Sequence, residues 1–170
     1  MNIELTKEQI QEYARLYDDP LSDRMKKARG RGHMELDDLI EVARWKWRGK
    51  RTENLCRKNT GDEVRKISET CFKEKSDCGR IRKLLELRGV GWPMASVILH
   101  FAFDDEYPIL DIRAMRSVGG PKSKHYTCKV WEEYVQLCRD TAKMHGISIR
   151  QLDKALWAFD RENPNSRMGS

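Results

Sequence analysis

The chain has 170 residues, 39% hydrophobic and 35% charged, with a formal net charge of +6. That length buries one core or two small lobes, and the positive excess favours an anionic partner without requiring one, since solvated charged faces give similar values. The longest apolar stretch, Val97 to Phe103, is interrupted by His100 and is too short to span a bilayer, and the start Met1-Asn2-Ile3-Glu4 is too polar for a signal peptide; the expectation is a soluble, cytoplasmic protein (nucleoid-associated in a prokaryote), monomeric and with no membrane contact.

Helical signals run through the chain. Thr6 to Gln9 reads as a capping box ahead of Ile10, Tyr13, Ala14 and Tyr17. The basic segment Arg24, Lys26, Lys27, Arg29 and Arg31 is broken by Gly30 and Gly32, which suggest a loop. A helix is predicted from about Glu35 to Trp47, with Leu36, Leu39, Ile40, Ala43 and Trp47 on one face. Residues 48 to 60 are polar and basic, with at most a short helical turn. Asp62 to Phe72 forms the next helix, with Val64, Ile67 and Cys71 inward. Ser76 or Asp77 caps another, whose inward residues are Ile81, Leu84, Leu85 and Leu87 and which ends at Gly89. Helices follow over Trp92–Phe103 and Ile112–Val118, the latter stopped by Gly119-Gly120-Pro121. Two long helices, roughly Thr127–His145 and Ser148–Asp160, close the chain, and the tail after Glu162 is expected to be disordered. With no strand-like alternation, the fold class expected is all-α. Lobe one spans residues 30–118. Lobe two combines residues 1–29 and 119–170.

The five cysteines, Cys56, Cys71, Cys78, Cys128 and Cys138, contain no C-x-x-C pair and no spacing for zinc or an iron–sulfur cluster. They read as reduced thiols, and neither a metal nor a cofactor is expected. The four histidines are scattered; His100 on the apolar helix reads as a core residue.

Leu87-Arg88-Gly89-Val90-Gly91 lies between two apolar helices. Two glycines around one residue allow a tight turn, Val90 can plug the gap between the helices, and the turn leaves N–H groups free at the start of the Trp92 helix. Such donors and the helix dipole suit a phosphate oxygen, a grip independent of base sequence. An ordinary helix–loop–helix turn would have the same composition.

The run from Leu87 to Arg116 resembles the helix-hairpin-helix DNA glycosylases, the superfamily of endonuclease III and the adenine glycosylase acting opposite oxidised guanine. The matching residues are Leu87, Gly89, Val90, Gly91, Ala95, Ile98, Leu99, Tyr107, Pro108, Ile109, Leu110, Asp111 and Arg116, with no gap between hairpin and aspartate. The resemblance implies a two-lobed helical fold with a cleft between lobes, double-stranded DNA as partner, and hydrolysis of the N-glycosidic bond of a flipped-out damaged, mismatched or modified base. DNA contacts then fall on Arg88, Gly89, Val90, Gly91 and Trp92, with Lys122 and Lys124 following the Gly-Gly-Pro turn. Asp111 takes the position of the catalytic carboxylate, where it would stabilise positive charge on the sugar and orient a water; as a residue directly before a helix it is also a favoured N-cap. Pro93 stands where strand-cleaving members carry a lysine, so the implied enzyme is monofunctional, with no lyase activity and no Schiff base.

Two departures accompany these matches. There is no cluster-binding cysteine run, and Arg44-Trp45-Lys46-Trp47-Arg48 replaces the glutamine-bearing segment of those enzymes. Trp45 and Trp47 are candidates for a base pocket or wedge, because aromatics among cations can stack on bases; Trp47 also reads as core. Glu41 is a candidate general acid, or else a surface residue. A non-catalytic DNA-binding module of the same fold is the principal alternative, and a helical interaction protein with a purely structural hairpin is a third.

Overall fold

The computed structural model describes residues 1–16, 22–47, 49–121 and 126–164. Among them the protein is all-α: ten helices and no strand. The chain divides into two compact units, residues 20–104 and residues 1–19 with 105–170. The sequence boundaries at 30 and 118 therefore move. The first unit gains the basic segment, and the second gains Asp111 and the helix after it.

In the first unit, helices α2 (Ser22–Arg31), α3 (Leu36–Lys46), α4 (Lys50–Cys56), α5 (Gly61–Lys73) and α6 (Asp77–Leu84) precede α7 (Trp92–Ala102). From Met94 to Ala102 every residue of α7 is buried. A helix that is apolar all round belongs at the centre of a core, and α7 packs on α2, α3 and α6. His100 is buried with it.

The basic segment is a helix rather than a loop. Met25 and Ala28 form its fully buried stripe. Gly30 fits inside the last turn, and Gly32, at φ +85°, closes it, its N–H donating to Arg29 O at 3.0 Å. Glycines near a helix end are thus a stop signal here, not a break. The buried Asp38 ties α2 to α3 by accepting from Arg24 Nε and from the Arg31 guanidinium. Thr60 and Glu63 form a reciprocal capping box at α5, and Ser76 caps α6 through the Gly79 N–H at 3.0 Å.

The second unit contains α1 (Lys7–Ala14), α8 (Ile112–Ser117), α9 (Cys128–His145) and α10 (Ile149–Glu162). The Thr6–Gln9 capping box is present, and Ser148–Gln151 repeats it at α10. Helix α10 packs on α1, α8 and α9. Helix α9 buries Trp131, Tyr134, Val135, Cys138 and Ala142 at helical spacing, and Trp131 stacks on Tyr107 with centroids 5.8 Å apart. Helix α8 ends in a Schellman motif: Gly120 N donates to Met115 O at 2.8 Å and Gly119 N to Arg116 O at 3.2 Å, with Gly119 at φ +66°.

Cys56, Cys71 and Cys138 are free and buried. Cys78 and Cys128 are disulfide-bonded, so the reading of five reduced thiols does not hold for them; spacing along a chain does not distinguish a buried thiol from a bridged one. No described helix is long and apolar enough to cross a membrane. The expected disorder after Glu162 concerns residues that, beyond 164, lie outside those described.

Candidate nucleic-acid interface and catalytic carboxylate

The hairpin joins α6 to α7. The residues expected to finish α6 form turns instead, with Glu86 N donating to Lys83 O, Leu87 N to Leu84 O and Val90 N to Leu87 O, each at 3.1 Å. Leu87 and Val90 are buried, so Val90 does plug the turn. Its two glycines serve different purposes. Gly89 has φ +83°, and a Cβ there would lie 2.9 Å from both Cys56 N and Cys56 Sγ and 3.0 Å from Leu55 Cβ. Gly91 has an ordinary φ of −103° as the N-cap of α7. A Cβ on it would meet only Pro93 Cδ, at 3.9 Å. Gly89 is therefore demanded by the fold, whereas nothing among the described residues demands glycine at Gly91.

No side chain caps α7. Among the described residues, the N–H groups of Gly91, Trp92 and Met94 have no acceptor, while Pro93 has no N–H to satisfy. The arrangement leaves donors, the positive end of a helix dipole and a side-chain-free approach at one place, which can accept an anion's oxygen. Arg88 is exposed; its Nη1 donates to Lys58 O at 2.8 Å.

Sequence reasoning missed Asn59, which holds the turn. It is 6% exposed. Its Oδ1 accepts from Arg88 N at 2.8 Å, and its Nδ2 donates to Arg88 O at 2.9 Å and to Cys56 O at 2.8 Å. One carboxamide thereby fastens the hairpin to the end of α4. An asparagine in a polar segment gives no sign of this, because its partner lies far along the chain.

Glu41 belongs to an ion network. Arg44 bridges Glu41 and Glu53 across α3 and α4, and Arg57 also binds Glu53, at 2.7 Å. Hydrogen bonds from Arg44 and then Arg57 hold the Glu53 carboxyl below its ordinary range. A general acid wants an apolar setting, and Glu41 instead has an arginine partner. The two tryptophan candidates part company. Trp45 packs edge-on against Phe101, centroids 5.4 Å apart. Trp47 is 46% exposed, which corrects its reading as core. Helix α3 ends at Lys46 and Trp47 is extended, so helical periodicity no longer sets its direction.

Asp111, in the second unit, is the N-cap of α8. Its carboxylate accepts from Arg113 N at 2.9 Å. The segment before it is fixed at both polar atoms of Ile109: the N–H donates to the buried Asp153 at 2.8 Å and the carbonyl accepts from the Tyr134 hydroxyl at 3.4 Å and from Asp111 N at 2.9 Å. Arg150 pairs with Asp153 at 2.9 Å. Burial raises the Tyr134 and Tyr126 hydroxyls above the ordinary phenol range, with a smaller contribution from the charge of Asp111 in each case. Arg116, matched in the resemblance, binds the buried Asp160 at 3.3 Å beside Arg113 at 3.1 Å. Lys122, Lys124 and Arg48 lie outside the described residues.

No family model, curated protein or solved structure matches this chain.

The hairpin offers uncommitted N–H donors, and Asp111 offers a half-buried carboxylate on a rigid stretch of backbone. Two surface pockets, one lined by Gln11, Arg15 and Lys154 among others and one by Glu74, Arg82 and Lys83 among others, include neither feature. Among the described residues no cluster of His, Cys, Asp and Glu has the makings of a metal site.

Proposed function

We propose that this protein is a helix-hairpin-helix DNA glycosylase that releases a base by hydrolysis and has no lyase activity. The observation that carries the reading is the hairpin itself, where, among the described residues, Gly91 has no packing reason to be glycine and the neighbouring N–H groups lack acceptors. A phosphodiester oxygen of double-stranded DNA meets both conditions. Asp111, in register with that hairpin in the resemblance, supplies the carboxylate that stabilises positive charge developing on the sugar and directs a water toward it. With Pro93 in place of an amine, water is the nucleophile and the product is an intact strand with an abasic site.

The pairing of Glu41 with Arg44 favours a second reading, a DNA-binding module without catalysis, since it engages one of the two candidate carboxylates taken from the sequence. A panel of duplexes carrying damaged, mismatched and naturally modified bases, scored by alkali-labile strand breaks, separates the two. The glycosylase reading expects breaks after alkali on at least one duplex and no adduct on borohydride treatment. Salt-dependent binding with no base release from any duplex favours the module.

A further inference from the structure

Helices α1 and α10 are held side by side. The Tyr13 ring meets Phe159 edge-on with centroids 5.7 Å apart, and Asn163 Nδ2 donates to the Tyr13 hydroxyl at 3.1 Å. The same two helices border an open groove of ≈ 270 Å³, lined among the described residues by Gln11, Ala14, Arg15, Gln151 and Lys154. Helical spacing explains why they share it. On α1, Ala14 and the C-cap Arg15 follow Gln11 by three and four positions, and on α10 Lys154 follows Gln151 by three, so each set occupies one helix face. All five belong to the unit formed by residues 1–19 and 105–170.

None of these lining residues is an acid. Arg15 is exposed and Lys154 half-buried, and neither has a carboxylate or hydrogen-bond partner among the described residues. Gln151 Oε1 is spent on the cap of α10, where it accepts from Ser148 N at 3.0 Å, so its Nε2 is left to donate. Gln11 has no hydrogen-bond partner among the described residues, and its amide can turn to donate as well. The acids adjacent in sequence are placed elsewhere. Glu12 does not line the groove, and Asp153 is buried, accepting from Ile109 N at 2.8 Å and pairing with Arg150 at 2.9 Å. Two uncompensated cations thus border one groove, one on each helix, with amide donors beside them. An anion lodged there is attracted by both.

We propose that the groove between α1 and α10 is a binding site for a dianionic phosphate group, the terminal phosphate of a phosphomonoester. A guanidinium fork on one wall, an ammonium on the other and amide N–H groups on both suit a tetrahedral oxyanion with two charges. A carboxylate, or a phosphodiester of a nucleic-acid backbone, carries a single charge and leaves one cation unmatched. The site shares no residue with the hairpin or Asp111, so it stands or falls independently of the glycosylase reading.

The test compares methyl phosphate with dimethyl phosphate at pH 8, where the monoester is doubly charged and the diester singly. Binding is followed by calorimetry and by the side-chain amide resonances of Gln11 and Gln151. The proteins are the parent, Arg15→Gln, Lys154→Gln and Lys143→Gln. Lys143 is an exposed lysine of α9 outside the groove and controls for net charge. Since Arg15 and Lys154 make no ion pair or hydrogen bond among the described residues, both groove variants should keep the parent's circular dichroism. The proposal expects methyl phosphate to shift both amide pairs and to bind about tenfold or more tightly than dimethyl phosphate. Losing one charged contact should weaken methyl phosphate binding by about tenfold or more in Arg15→Gln and in Lys154→Gln, with Lys143→Gln like the parent. No shift with methyl phosphate, equal affinity for the diester, parent-like binding by either groove variant, or an equal loss in the Lys143 control overturns it.

Discussion

Alanine at Gly89 and alanine at Gly91 should have opposite signatures, although the two positions are separated only by Val90. At Gly89 the backbone is left-handed, and a Cβ would lie 2.9 Å from the backbone nitrogen of Cys56. That neighbour is main chain pinned by Asn59, so it cannot swing aside. Left-handed strain in a non-glycine residue costs ~1–2 kcal/mol, and overpacking costs ~1–3 kcal/mol. Gly89→Ala should therefore lose ~2–5 kcal/mol, which lowers a urea midpoint by about 1–2 M for typical slopes. At Gly91 the φ of −103° suits alanine and the added methyl meets only Pro93 Cδ at 3.9 Å. Reduced freedom of the unfolded chain and the loss of a tolerated N-cap glycine roughly cancel, leaving stability within ~1 kcal/mol of the parent. The same methyl stands where the phosphate is proposed to approach, and spoiling a hydrogen bond to a charged group weakens DNA binding about tenfold or more. Urea unfolding followed by circular dichroism, with duplex binding on the same samples, measures both. A Gly91→Ala protein as unstable as Gly89→Ala, or a Gly89→Ala protein as stable as the parent, would refute the division of roles.

Asn59→Ala removes three hydrogen bonds at the turn and should cost ~2–4 kcal/mol, read as a lower urea midpoint; an unchanged midpoint would mean that the carboxamide does not hold the hairpin. Burial pushes the Cys56 and Cys71 thiols up from 9.0 to about 11 and about 12. Folding thus favours their neutral forms. The associated stability is fully present below pH 9 and is lost as pH rises toward 11 and 12. Urea midpoints should fall between pH 9 and 11, and a thiol reagent at pH 8 should leave Cys56, Cys71 and Cys138 unmodified until the protein unfolds; rapid labelling of the folded protein would contradict their burial.

Much of the fold could be read in advance because its helices announce themselves through periodicity and caps. The Thr6, Ser76 and Ser148 caps are local, involving residues within one turn of each other. The basic segment misled for an equally local reason. With only Met25 and Ala28 turned inward, its apolar stripe is too short to outweigh two glycines, and the packing on α7 that makes it a helix is a tertiary fact. Trp47 points outward because α3 ends one residue earlier, a boundary that periodicity does not fix. Gly89 and Gly91 are indistinguishable as letters; the left-handed backbone at Gly89 and the approach of Cys56 and Leu55 tell them apart. Asn59 and Asp153, which hold the hairpin and the Asp111 segment, act on backbone groups distant in sequence and so left no local pattern. Asp111 was legible both as a cap and as a candidate carboxylate, and its capping bond to Arg113 N does not choose between these roles.

That choice is made by single-turnover base release from whichever modified duplex the parent protein acts on, compared between the parent and Asp111→Asn. Asparagine keeps the shape and the capping acceptor but removes the negative charge. Loss of one preorganised electrostatic group costs about a hundredfold to a thousandfold in rate. The account predicts a loss of that size with folding and duplex affinity retained, whereas parent-like release by a folded Asp111→Asn protein would contradict it.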